Sequence, residues 1–87
     1  MKLLESVQLS MLFDVYGNLL TEAQKSVLEL MLHKDLTLSE TAENLNITRQ
    51  AVLDVCKKAE KKLVSFEEKL GFLKIVEKEG LWHYLHR

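Results

Sequence analysis

An all-α fold built around a helix-turn-helix is what this sequence predicts, and three observations predict it. Its 87 residues contain no proline and only three glycines, so little in them breaks a helix. Apolar residues recur at helical spacing along most of the chain. Helix-start signatures stand between the apolar runs, and two of them are capping boxes: a threonine whose hydroxyl accepts from the N3 amide, while the N3 Gln or Glu reaches back.

The elements follow in order. Leu4, Val7, Met11, Leu12 and Val15 predict an amphipathic helix over residues 3–16. Gly17-Asn18 stops it, as a pair tolerant of the left-handed conformation. Thr21 with Gln24 opens a second helix with an inner face of Val27, Leu28, Met31 and Leu32. His33-Lys34 closes it, where positive charge suits the helix dipole. Thr37 with Glu40 opens a short helix ending near Leu45, and Asn46 makes a tight left-handed turn. Thr48 caps the next helix, with Ile47 placed to staple onto Val52. Nothing then breaks the helix before Gly71; residues 72–79 are helical again, and Gly80 interrupts before LWHYLHR.

Length makes this one domain, residues 1–87. Within it, 37–58 is the helix-turn-helix and 59–79 an extended C-terminal helix region. A chain this short buries only about 60% of its unfolded surface, so partners would help it. An apolar fraction of 47% excludes a disordered tail, and a net charge of −1 excludes a polycation that coats nucleic acid without selection. The lone cysteine, Cys56, cannot form an internal disulfide, which suits a reducing cytoplasmic location. No apolar run approaches the roughly 18 residues of a membrane span. The start, MKLLESVQLSM, has acid and amide groups inside its apolar part and does not read as a signal peptide.

The stretch LSETAENLNITRQAVLDVC, residues 38–56, carries the functional argument. Two helices joined by a three- or four-residue turn cross steeply only where their contact points are small and apolar. Ala42 is the small crossing residue, and Leu45, Ile47, Val52 and Val55 supply the apolar core between the helices. Charge is segregated about this point. Residues 1–47 hold three lysines against seven acids, whereas residues 48–62 hold five basic residues against two acids. Arg49, Gln50, Leu53, Asp54 and Lys57 form one outer stripe, the stripe that faces the major groove in a helix-turn-helix. With the capping Thr48 they are the candidate nucleic-acid contacts. Arg49 suits a guanine edge or a phosphate, and Gln50 suits adenine. Lys57, Lys58, Lys61 and Lys62 suit phosphates, which give affinity without sequence information. Asp54 repels phosphate or selects a cytosine amine. The other reading of this stripe is a solvated helix face.

The text LFDVYGNLLTEAQKSVLELML, then LSETAENLNITRQAVLDVCKKAEKKL and FEEKL, resembles the YlxM family over about residues 9–75. These are small bacterial helix-turn-helix proteins linked to the signal recognition particle. The second half is also similar to region 4 of sigma factors, so the resemblance implies a winged-helix-like fold without a wing. Motif match carries over Thr48, Arg49, Gln50, Ala51, Val52 and Asp54. It implies a regulator or accessory of the particle's pathway rather than an enzyme. The partners implied are DNA or the particle's RNA, and in a rival reading the particle's GTPase. Thr41 departs from the family's usual isoleucine, Val55-Cys56 from a more polar pair, and LWHYLHR falls outside the pattern.

Val52, Cys56, Ala59, Leu63, Phe66, Leu70 and Leu73 form a heptad seam. Its first half serves the motif's own core. For Leu63, Phe66, Leu70 and Leu73 two readings stand: the N-terminal helix folds back on them, or a second copy pairs with them as a homodimer. Chemistry is sparse. His83 and His86 are spaced for a helical metal pair, but no third ligand is near, and no metal or cofactor is expected. Cys56 on the seam reads as an inert buried hydrophobe. Glu67-Glu68 point apart and make no catalytic dyad. No phosphate loop or catalytic triad spacing appears, so no catalytic residue is named.

The outcome is a non-enzymatic nucleic-acid-binding protein. The competing classes are a protein-interaction module and a sequence-specific transcription regulator unrelated to the particle.

Overall fold

A computed structural model describes residues 6–80. The expectations for Leu4, for His83 and His86, and for the tail 81–87 lie outside those residues. Among the described residues every regular element is helical, and no helix is long and apolar enough to cross a membrane. Helix α1 spans Ser6–Tyr16, α2 Glu22–Leu28, α3 Leu38–Leu45, α4 Arg49–Leu70 and α5 Phe72–Glu79.

The three expected threonine caps form. Thr21 and Gln24 close a reciprocal box at α2, as do Thr37 and Glu40 at α3. Thr48 Oγ accepts from the Ala51 amide at 3.0 Å to start α4. Asn46 takes the left-handed conformation, φ 56° and ψ 46°. The Ile47 amide then donates back to the Ala42 carbonyl, so the turn seals the last orphan carbonyls of α3.

Three local readings need correction, and one holds with a difference in helix type. The inner face of α1 is Leu9, Leu12, Phe13 and Tyr16; Val7 is 68% exposed, because the face is rotated from the one drawn by the aliphatic residues alone. Gly17 begins a 3-10 turn, Gly17–Leu19, rather than a left-handed stop. Its lack of a side chain matters for space, since a Cβ there would meet the Phe13 ring at 3.0 Å. The second helix ends at His33-Lys34 as expected, with its last stretch, Glu29–His33, widened into a π-helix and the reversal at Asp35, φ 56°. Ile47 does not clamp down as core: it keeps 40% of its surface exposed.

Helix α4 is the axis of the molecule. Twenty-two residues at about 1.5 Å each run roughly 33 Å along a body of 40 × 26 × 22 Å. Val52, Cys56, Ala59 and Leu63 are almost wholly buried there, against α1, α2 and α3. Thr41 fills its inner-face position without a lost polar group, because its hydroxyl donates to the Thr37 carbonyl at 2.8 Å. Cys56 donates its thiol to Met31 Sδ at 3.6 Å. Burial, with the Glu60 charge second, pushes its pKa up, so it stays a protonated thiol.

The seam's two readings are separated by α1, which folds back on α4. Leu63 is fully buried in its own chain and has no surface left for a second copy. Phe66 and Leu73 pack partly against the same core, with the Phe66 ring 5.8 Å from that of Tyr16. Of the four residues assigned to dimerisation, Leu70 alone is largely exposed, at 46%.

A polar knot fixes the end of α4 to α5. Gly71 turns left-handed, φ 65°, which glycine does without steric cost. The new helix then presents orphan amides. Phe72 N–H donates to Tyr16 Oη at 3.0 Å, and Leu73 and Lys74 N–H donate to the two Glu67 oxygens at 3.0 and 3.3 Å. Tyr16 in turn donates its own proton to Glu67 at 2.6 Å. So α5 is capped by residues from α1 and α4 together. It runs back along α1, where Leu73 and Glu77 share a cleft with Gln8, Met11 and Leu12.

Burial disfavours the Glu67 charge, but the bonds from Tyr16 and the two amides outweigh it and hold the carboxyl below its ordinary range. Its stabilisation is therefore complete above the ordinary glutamate value of 4.5 and is lost as pH falls through the lower folded value. Burial first, then the bond to Glu67, raises Tyr16, so that group's contribution is complete below 10.0 and is lost as pH rises through the raised folded value. Glu67→Gln is expected to flatten the acid limb of a stability-versus-pH curve from urea melts. An unchanged acid limb would show that the knot contributes nothing to it.

Candidate nucleic-acid interface

The helix-turn-helix of α3 and α4 stands at the opposite end of α4 from the knot. Its turn is rigid for local reasons. Ala42, 5% exposed, lets the helices approach, and the Asn46 turn and Thr48 cap fix the direction in which α4 leaves. The first turn of α4 therefore projects from a packed scaffold, and Thr48, Arg49 and Gln50 are all exposed. An open cleft beside them is lined by Ser39, Ala42, Glu43, Asn46, Thr48 and Arg49.

The predicted residues separate by environment. Arg49, Gln50, Asp54, Lys57, Lys58 and Lys61 are exposed along α4. Leu53 is half-buried at the flank of the stripe. Thr48 has a structural duty as the cap, its oxygen occupied by the Ala51 amide. Asp54 is not an isolated acid among the bases: it accepts the Gln50 amide at 3.1 Å, one helical turn away. That bond orients Gln50 and lowers the number of donors it can offer a base. Lys62 leaves the set of phosphate candidates, because its ammonium donates to Gln24 Oε1 at 3.2 Å and so ties α4 to the cap of α2. Of the cations predicted as contacts, four remain outward on this helix: Arg49, Lys57, Lys58 and Lys61.

Helix α3 contributes no cation. It carries Glu40 and Glu43, both exposed, and Glu40 is held in its capping box. In a docked helix-turn-helix the first helix crosses the phosphate backbone. Here that helix would bring negative charge, so favourable phosphate contacts must come from α4. Among the described residues no group of three or more His, Cys, Asp or Glu is arranged to hold a metal.

Two features escaped the sequence reading. Lys62 looked like its neighbours because a run of lysines does not reveal which one points inward. The Glu67 knot had a faint signal. Glu67 lies one helical turn before a helix-ending glycine, within reach of the amides that follow it. The partner that completes it, Tyr16, is far away in sequence.

Comparison with known proteins agrees with this geometry. Residues 3–85 match the family described as "UPF0122: Putative helix-turn-helix protein, YlxM / p13 like". A UPF0122 protein of Clostridium kluyveri is 46% identical over 69 residues, which is 79% of this chain and 62% of the relative. One from Desulforamulus reducens is 47% identical over 73 residues, 84% of this chain and 62% of the relative. One from Clostridium acetobutylicum is 47% identical over 74 residues, 85% of this chain and 61% of the relative. The chain thus spans about three fifths of the length of these bacterial relatives.

Proposed function

Since the chain belongs to the UPF0122 family of YlxM/p13-like helix-turn-helix proteins, we propose that it is a non-enzymatic nucleic-acid-binding protein that uses the start of α4. The observation that carries this reading is the exposed, doubly fixed first turn of α4, with Arg49 and Gln50 at its tip and Lys57, Lys58 and Lys61 behind. Arg49 bonds a base edge or a phosphate; the lysines neutralise phosphates. The lysines set affinity and its salt dependence, and the tip sets whatever sequence preference exists.

The resemblance to YlxM proteins supports a finer version. In it the protein is an accessory or regulator of the signal recognition particle pathway, and its ligand is the particle's RNA or promoter DNA. A second reading is favoured by one feature, the acidic α3 beside the turn. In that reading the same face docks on a protein such as the particle's GTPase, and nucleic acid is not bound.

Reversing Lys57, Lys58 and Lys61 together to Glu tests the proposal. The three side chains are exposed, so helical content by circular dichroism should be retained. Binding to duplex DNA or particle RNA at about 100 mM salt should be abolished, because each reversal replaces a phosphate contact by a repulsion. Equal binding by the variant would contradict the interface.

A further inference from the structure

Between α1 and α5 lies a cleft of about 430 Å³, lined by Gln8, Met11, Leu12, Leu73 and Glu77. Its apolar residues are not all covered: Leu12 is buried, but Met11 and Leu73 are only half-buried. Gln8 and Glu77 are exposed and bring side-chain oxygens to its lip. Leu73, Glu77 and Gly80 stand at i, i+4 and i+7, so they share one face of α5. The chain therefore leaves α5 at the mouth of the cleft. Gly80 is left-handed, φ 66° and ψ 35°, and its N–H donates to the Val76 and Glu77 carbonyls. A helix ended in this way turns its chain aside instead of extending along its axis.

We propose that residues 81–87, LWHYLHR, close this cleft and place Trp82 in it. The point of exit argues for this occupant, and so does the chemistry of the segment. After a glycine turn of this kind the next residue packs on the last turn of the helix, which sets Leu81 on Val76. Leu81, Trp82, Tyr84 and Leu85 give the segment its apolar and aromatic surface. One buried aromatic side chain removes roughly 150–250 Å² from water. The N–H of a buried indole needs an acceptor, and Gln8 and Glu77 supply one at the lip. The segment also holds Arg87 and two histidines with no acid, which suits Glu77. Reach is sufficient. Leu73 to Glu77 is about 6 Å of helix, and seven residues cover roughly 10 Å even when helical. Ile75, 51% exposed, is the apolar neighbour that the segment does not cover. It lies about 140° round α5 from Gly80. The closed segment ties α5 to α1 at the end away from the Tyr16–Glu67 knot, so α5 is held at both ends.

Trp82 is the chain's single tryptophan, so its fluorescence reports this segment alone. In the folded chain its emission should lie at shorter wavelength than in urea, and acrylamide should quench it less. Both readings should be unchanged on dilution, because the contact is made within one chain. Met11→Arg should move the emission and the quenching toward their urea values, with helical content by circular dichroism retained. Gln8→Arg with Glu77→Arg alters only exposed residues, and should raise the quenching even if the Met11 variant fails to fold. Ile75→Arg, on the other face of α5, should leave both readings at the wild-type values. Urea-like emission from the folded wild-type chain overturns the proposal. So does protection that disappears on dilution, which would assign the tryptophan to a second copy. Protection that survives the cleft variants, or is lost in Ile75→Arg, overturns it as well.

Discussion

Leu63→Ala is expected to destabilise the protein by roughly 2–5 kcal/mol, the range for emptying a close-packed leucine site. Leu63 is fully buried on α4, in the same core cluster as Tyr16, Ala59 and Leu28. A domain of this size has a total stability on the order of 4–13 kcal/mol, so the loss is a large part of it. Leu70 is the internal control. It occupies the same seam seven residues later and is 46% exposed. Leu70→Ala should cost below about 1 kcal/mol, as surface changes do. Urea melts at low-micromolar protein compare the two without contribution from self-association. Equal losses would mean that the seam is buried evenly along its length, and the fold described for α1 would be wrong.

Among single substitutions, Arg49→Ala has the largest expected effect on binding. A bidentate contact to a guanine edge is worth about 1–3 kcal/mol, or about 5- to 150-fold in affinity. The residue is exposed at the first position of α4, so the fold should be unaffected. Arg49→Lys separates the two contacts the residue can make. A lysine keeps the charge but loses the fork. If Arg49 reads a base, the lysine variant binds nearly as weakly as the alanine variant. If it holds a phosphate, the lysine variant recovers most of the affinity. Wild-type affinity in Arg49→Ala removes the residue from the interface.

Local signals were legible in the sequence and long-range ones were not. Thr21, Thr37, Thr48 and Asn46 act through residues within five positions, so their caps and turn follow from text alone. The helix-turn-helix was legible for the same reason, as it is built from one stretch of 19 residues, 38–56. The seam was legible as a pattern but not as a contact. Period alone cannot tell whether α1 or another chain fills the groove; the Tyr16 ring against Phe66 shows α1 on the seam. Aromatic residues misled the reading of α1: Phe13 and Tyr16 anchor it, while the aliphatic Val7 faces water. At the interface, sequence placed the stripe but not the bonds inside it. The Gln50–Asp54 pair was available at helical spacing, whereas the capture of Lys62 by Gln24 spans 38 positions. Charge counted along the chain therefore overstates the charge available to a ligand.

The most direct test of nucleic-acid binding through α4 is fluorescence anisotropy. The purified chain is titrated into labelled random duplex DNA and into the particle's RNA, each at two salt concentrations. If Arg49, Lys57, Lys58 and Lys61 neutralise one phosphate each, log affinity for the duplex should fall against log salt with a slope near −3.6. That slope, lost in the triple lysine variant, is the predicted result. The absence of binding to either nucleic acid at low salt would contradict it, and would turn the acidic α3 and the face beside it into the surface of a protein partner.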